Sequence, residues 1–184
     1  MALILNREWI DGLLGLASRA SLVFGRACLA AGADVVSVGE TVSSCNLISP
    51  QDFRELVAPR YKWLADEMGG HTFLYVCGDV QPVWEDIIEC GFDGIGLENE
   101  RGEADLDWLI RKAHESDLPV AGSLSTSQTL YTGTVEEVRE ESLRNLRAGM
   151  DILSPGGGVA PETTIENLRA MVRARDEFFG VPHS

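Results

Sequence analysis

Histidine is scarce in this chain: three occur among 184 residues. His71 precedes a strand-like run and His183 lies near the end. Neither stands at ligand spacing from a cysteine, and both are expected at the surface. His114 falls late in an acidic helical segment, where its charge suits the helix dipole. Basic residues are also few, 15 against 29 acidic ones, for a net charge of -14. Such a surface repels phosphate backbones and anionic membranes, so neither nucleic acid nor membrane is expected as a partner. A local pocket can still oppose the global sign. No uninterrupted apolar run reaches bilayer-spanning length, and the opening segment carries charges and lacks a basic n-region, so no secretory signal is expected. The four cysteines, Cys28, Cys45, Cys77 and Cys90, show neither CxxC spacing nor a dense framework. A reducing, cytoplasmic setting with free thiols follows. What is present, 45% hydrophobic and 24% charged residues, suits a single globular domain over 1–184.

The chain repeats a strand-then-helix unit. It opens on a helix, "REWIDGLLGLASRASLVFGRACLAAG". "ADVVSVGE" (33–40) reads as a buried strand. Ser49, Pro50 and Asp52 then start a helix through residue 68, which Pro59 should kink or split. "HTFLYVCGD", "DGIGLENE", "LPVAGSLS" and "MDILSP" supply further strands, each followed by a helical pattern. Thr134 and Glu137 form a capping-box pattern, and Thr163 and Glu166 repeat it before a last helix to about residue 178. The four tryptophans, Trp9, Trp63, Trp84 and Trp108, all fall on helices as core or interface packing. Apolar strands alternating with helices predict a parallel sheet in an α/β fold. About five such strands fall short of the eight of a (β/α)8 TIM barrel. The expected architecture is therefore a partial barrel of five parallel strands with flanking helices, and the alternative is an open sheet with covered edges.

In parallel barrels the C-terminal strand ends hold ligands. Here those ends are Glu40, Cys77-Gly78-Asp79, Glu98-Asn99-Glu100, Ser123 to Ser127 and Ser154 to Gly158, a polar, glycine-rich set that turns alone would also explain. Cys77 is the leading candidate, as a site residue or as a small buried side chain. Tyr75 shares its face by strand alternation. Asp79 suits a ligand contact or a helix cap. Glu98 suits acid–base work or a solvated loop. Cys77, Asp79 and Glu98 are the candidate catalytic residues; Glu40, Tyr75, Gly78, Ser123 and Gly157 are the candidate ligand-binding ones. The "SPGGGVAP" turn can offer backbone N–H groups to an anion but lacks the lysine and spacing of a P-loop.

The pieces "AGADVVSVGE", "LISPQDFRELVAPRYKWLADEM", "LYVCGD", "ECGFDGIGLENE", "GTVEEVREESLRNL" and "LSPGGGVAPETTIENLRAMV" occur in an order that resembles the uroporphyrinogen decarboxylase superfamily. The similarity is closer to its methylcobamide:coenzyme M methyltransferase branch and runs from about Leu13 to about Val172. The resemblance implies a (β/α)8 barrel of which this chain matches the C-terminal part. It also implies a corrinoid, tetrapyrrole-related or small thiol ligand and methyl transfer to a thiolate. Methyltransferases of the family hold zinc through a His-x-Cys pair on one strand and a second Cys in a later "PGCG" turn. At those positions this chain has Tyr75, Cys77 and Gly157. Glu40, and Cys45 near the same rim, are the groups available to complete a zinc set with Cys77, and one thiol with one carboxylate is a poor zinc site. Decarboxylase activity is not expected: the essential carboxylate and arginines of that branch lie in the other part of the barrel, and "SPGGG" lacks its histidine. Two functions follow, a methyltransferase-type protein with an incomplete zinc motif or a non-catalytic ligand-binding or scaffolding half-barrel. In either case a homodimer or a separate barrel half is expected to cover the open edges, with a small molecule or corrinoid protein as substrate partner.

Overall fold

The computed structural model describes residues 6–40, 42–98 and 105–181, with the side chain of Glu40 outside that set. Helix α1 (Arg7–Ala30) leads into strand β1 (Val35–Glu40). Ser49 caps α2 (Pro50–Asp52), its hydroxyl accepting the Asp52 N–H. The chain continues through a wide π-turn, Phe53–Val57, into α3 (Ala58–Met68). The π-turn is how the helix passes Pro59. That residue has no N–H to give and its ring crowds the preceding turn, so the Ala58 N–H reaches back to Phe53 O. The expected kink is thus a local widening, and the helix ends where Gly69 turns left-handed, at φ 80°.

Strand β2 (His71–Cys77), a 3-10 turn at Gln81–Val83, α4 (Trp84–Ile88) and β3 (Gly94–Glu98) follow. Next come α5 (Leu106–His114), β4 (Val120–Leu124), a second π-turn at Thr126–Tyr131, α6 (Val135–Arg147), β5 (Ile152–Pro155) and α7 (Ile165–Phe179). The capping box of α6 forms as its sequence predicts, with both Thr134 and Glu137 bonds present. The box expected at Thr163 and Glu166 is displaced by one residue: Thr164 is the cap and accepts the Asn167 N–H. Thr163 instead closes the preceding turn, donating its N–H to Ala160 O.

The five strands are all parallel and lie in the order β1-β2-β3-β4-β5. A doubly wound sheet reverses its order at a switch point, whereas this one advances strand by strand, as a barrel does. Alternation along β2 shows which face is covered. Thr72, Leu74 and Val76 are buried while Phe73, Tyr75 and Cys77 are only partly so. The buried row packs under the helices with Phe53, Tyr61, Leu64, Trp84, Leu109 and Ile110. Trp84 also donates its indole N–H to Leu109 O at 2.9 Å, tying α4 to α5. A smaller cluster, Leu124, Leu130, Val138 and Ala170, seals α6 and α7 against the β4 end. Burying such side chains contributes about 1.5–3 kcal/mol each.

The opposite face, which would line a closed barrel, is open. At its two edges Val35 is 46% and Ile152 48% exposed. The exterior is incomplete as well. On α1, Trp9, Leu13, Leu16, Val23 and Phe24 are all exposed, so Trp9 is not core packing. By length and composition α1 is also apolar enough to cross a membrane, a property absent from any single uninterrupted run in the sequence.

Candidate functional site

The inner face is built by register. Phe73 pairs with Gly94, Tyr75 with Gly96 and Cys77 with Glu98. On the next strand Gly96 pairs with Ala121, and Ser123 pairs with Ser154 beyond it. Since partners in a ladder share a face, Tyr75, Cys77, Glu98, Ser123 and Ser154 line one surface toward the C-terminal strand ends. The two glycines make the aromatic pair fit. A Cβ on Gly94 would overlap the Phe73 ring, and one on Gly96 would overlap the Tyr75 ring. Each aromatic side chain therefore lies across its neighbouring strand.

The rim above Cys77 is stapled. Gly78 turns at φ 80°, and a Cβ there would lie 2.6 Å from Asn46 Oδ1 and 2.8 Å from Ser44 Oγ. Glycine is required at this crossing for both reasons. Asn46 Oδ1 accepts the Asp79 N–H at 2.7 Å, and Cys45 donates its N–H to Asp79 O at 2.7 Å. The Asp79 carboxylate accepts the Gln81 N–H at 3.2 Å. This is an Asx turn rather than the expected helix cap, since Val80 is the N-cap of the 3-10 turn and no side chain caps it, and it gives Asp79 a structural bond at the rim. Burial, then the nearby Asp79 charge, pushes the Cys45 thiol up from its ordinary value, keeping it protonated. Cys90 is buried away from the strand ends; burial and then Asp86 push its thiol up to about 12.

On the far side of the rim, Ser123 is buried. The turn after β4 is held by Glu141 on α6, which accepts the Ser125 N–H at 2.9 Å and the Thr129 hydroxyl. Gly156 donates its N–H to Leu124 O at 2.7 Å, locking the glycine turn onto β4. This places Gly157 beside the β2 residues. A Cβ on Gly157 would lie 3.5 Å from Thr126 Oγ1 and 3.9 Å from the Tyr75 hydroxyl.

The structure therefore brings Tyr75, Cys77, Glu98, Ser123 and Gly157 to one region, with Gly78 and Asp79 forming its rim. Backbone register pairs Glu40 with Val76, in the row next to Tyr75's partner Gly39; the Glu40 side chain, Asn99 and Glu100 lie outside the described residues. Asn46 and Glu141 escape sequence reasoning because each reaches the rim from a different loop or helix, with no spacing that links it to β2, whereas Thr126 falls within the Ser123 to Ser127 strand end. A cleft of about 610 Å³ lies elsewhere, between α5 and α6 beside Arg139, Arg144 and Arg147.

The donor set does not fit a zinc ion in the family manner. A phenol stands at 75, and at 157 there is no side chain at all. Among the described residues no group of three or more His, Cys, Asp or Glu side chains converges to hold a metal.

Comparison with known proteins agrees with this architecture. Over 176 residues the chain is 32% identical to the methylcobamide:CoM methyltransferase MtaA of Methanosarcina barkeri, covering 96% of this chain and 51% of that protein. It is 30% identical over 156 residues to a methylated-thiol–coenzyme M methyltransferase of Methanosarcina mazei, covering 85% of this chain and 41% of the relative. A solved methyltransferase from Methanosarcina mazei superposes with a TM-score of 0.88 at 32% identity, over 97% of this chain and 52% of that one. The chain thus spans about half the length of these relatives, as a five-stranded part of a barrel should. The uroporphyrinogen decarboxylase (URO-D) family model matches residues 1–178, and the chain belongs to that family.

Proposed function

We propose that the protein acts in methyl transfer of the methylcobamide-to-thiol kind, and that this segment forms the wall on which the acceptor thiol docks. The observation that carries the reading is the convergence of Tyr75, Cys77 and Glu98 at the strand ends in a chain similar to methylcobamide:CoM methyltransferases along nearly its whole length. In the step, the acceptor S–H proton passes to the Glu98 carboxylate as the sulfur lone pair forms the S–CH3 bond. The cobalt–carbon bond breaks with both electrons left on cobalt. Glu98 acts as the proton acceptor, and Tyr75 and Cys77 shape and orient the thiol beside it. The substrates are a methylated corrinoid, free or carried by a protein, and a small thiol. A second copy of the chain covers the open sheet edges and the apolar stripe of α1.

The test is to incubate the purified chain with methylcobalamin and 2-mercaptoethanesulfonate and to measure the methylated thiol by mass spectrometry. Product above the protein-free control is expected, and loss of most of it in Glu98→Gln. A second reading, a ligand-binding half-barrel without catalysis, is favoured by the missing metal donors at 75 and 157. Thiol or corrinoid binding with no product would select it.

A further inference from the structure

The three positions at which the resemblance places zinc ligands remain together in this fold, but their chemistry has changed. Tyr75 and Cys77 share the inner face of β2 by alternation, and the position of a 157 Cβ lies 3.9 Å from the Tyr75 hydroxyl. Gly157 is not held to glycine by its backbone. It lies outside the left-handed region, and the nearest atom a Cβ would meet, Thr126 Oγ1, is at ordinary contact distance, 3.5 Å. A cysteine would fit there with little adjustment, unlike at Gly78, where φ and two neighbours both forbid a side chain. The ring of Tyr75 has its own accommodation, since Gly96 leaves the space that it crosses. The phenol is thus built into the face, in the region a metal and its ligands would occupy.

We infer that this site is a metal-free version of the family's zinc site, in which the Tyr75 phenol faces the bare Gly157 turn where two zinc ligands would converge. A phenol at 75 and no side chain at 157 present a neutral surface there in place of a Lewis acid and its imidazole and thiolate ligands. The inference rests on the placement of these positions within the URO-D family. Its readout is metal content, so it stands or falls separately from the methyl-transfer reading.

The experiment is the zinc content of the 184-residue chain by elemental mass spectrometry, after loading with zinc and exhaustive dialysis. It compares wild type, Y75H, G157C, the Y75H/G157C double variant and the double variant carrying C77S. Circular dichroism on each sample shows that the fold is retained. Wild type is expected to hold only traces of zinc. The double variant should hold at least about tenfold more, approaching one per chain, and lose it with C77S. Cobalt(II) loading of the double variant should add a thiolate-to-metal charge-transfer band that wild type lacks. Stoichiometric zinc in wild type, lost in Cys77→Ser, would overturn the inference. So would a folded double variant that stays free of zinc, because the three positions then do not converge.

Discussion

The ring of Tyr75 on β2 lies across Gly96 on β3, its partner in the sheet register, in space that a Cβ on Gly96 would fill. The small residue and the large one form a matched pair on the inner face. Gly96→Ala should therefore push the ring off its strand and destabilise the fold by about 1–3 kcal/mol, the usual cost of overpacking. Urea unfolding measures it. Combining the change with Tyr75→Ala should recover most of the loss, and full additivity of the two variants would show that the residues do not touch.

A second prediction concerns the turn that carries Thr126. Glu141 holds it through the Ser125 N–H and the Thr129 hydroxyl, both partly buried. Glu141→Ala leaves those donors without this acceptor and should cost about 1–3 kcal/mol. Hydrogen exchange should rise first at 125–131, ahead of α6 itself. Uniform protection across this region would show that the carboxylate is not its anchor.

The fold was largely legible in the sequence, and the reasons are visible in particular residues. Helix starts declared themselves through Ser49 and Thr134, because a hydroxyl that caps a helix must sit at a fixed offset from the N–H it accepts. Leu74 and Val76 gave β2 its covered face through simple alternation. The cap at Thr164 was misread by one residue because Thr163 and Thr164 are adjacent and both have a polar partner three residues on. The π-turn at Thr126–Tyr131 opens on a comparable cap, Ser125 accepting the Gln128 N–H at 3.1 Å, although its widening has no such local signature. The shared face of Tyr75 and Cys77 was legible because both lie on one strand. The approach of Gly157 to Thr126 and to Tyr75 depends on how α6 and the β5 exit fold back, which no local spacing encodes.

Thiol chemistry supplies a third prediction. Cys90 is buried and its thiol is raised from 9.0 to about 12. Because the folded state holds the proton more tightly than the unfolded chain, this group's contribution is complete below about pH 9 and is lost as pH rises toward 12. Cys45, also raised, acts in the same direction. Stability should fall over that alkaline window, and Cys90→Ala should flatten part of the decline. Iodoacetamide at neutral pH should leave Cys90 unmodified in the folded chain, as peptide mapping would reveal. Rapid labelling there would contradict its burial.

Self-association is the fourth. Val23 and Phe24 on α1 are 70% and 73% exposed, and Trp9, Leu13 and Leu16 continue the stripe along the same helix. Covering it with a second copy offsets an exposure that a lone chain would carry in water. Light scattering at low micromolar concentration should report a dimer, shifted to monomer by Phe24→Glu with the circular dichroism unchanged. A monodisperse wild-type monomer would contradict this.

The central claim is that the inner face around Tyr75, Cys77 and Glu98 carries the chemistry without the family's zinc. The measurement that bears on it most directly is the rate of methyl transfer from methylcobalamin to 2-mercaptoethanesulfonate by chelator-stripped protein, beside Glu98→Gln treated in the same way. The account predicts that transfer survives stripping and falls about 10²-fold or more in the variant. Transfer that disappears on stripping and returns with zinc, or that is untouched by Glu98→Gln, would contradict it.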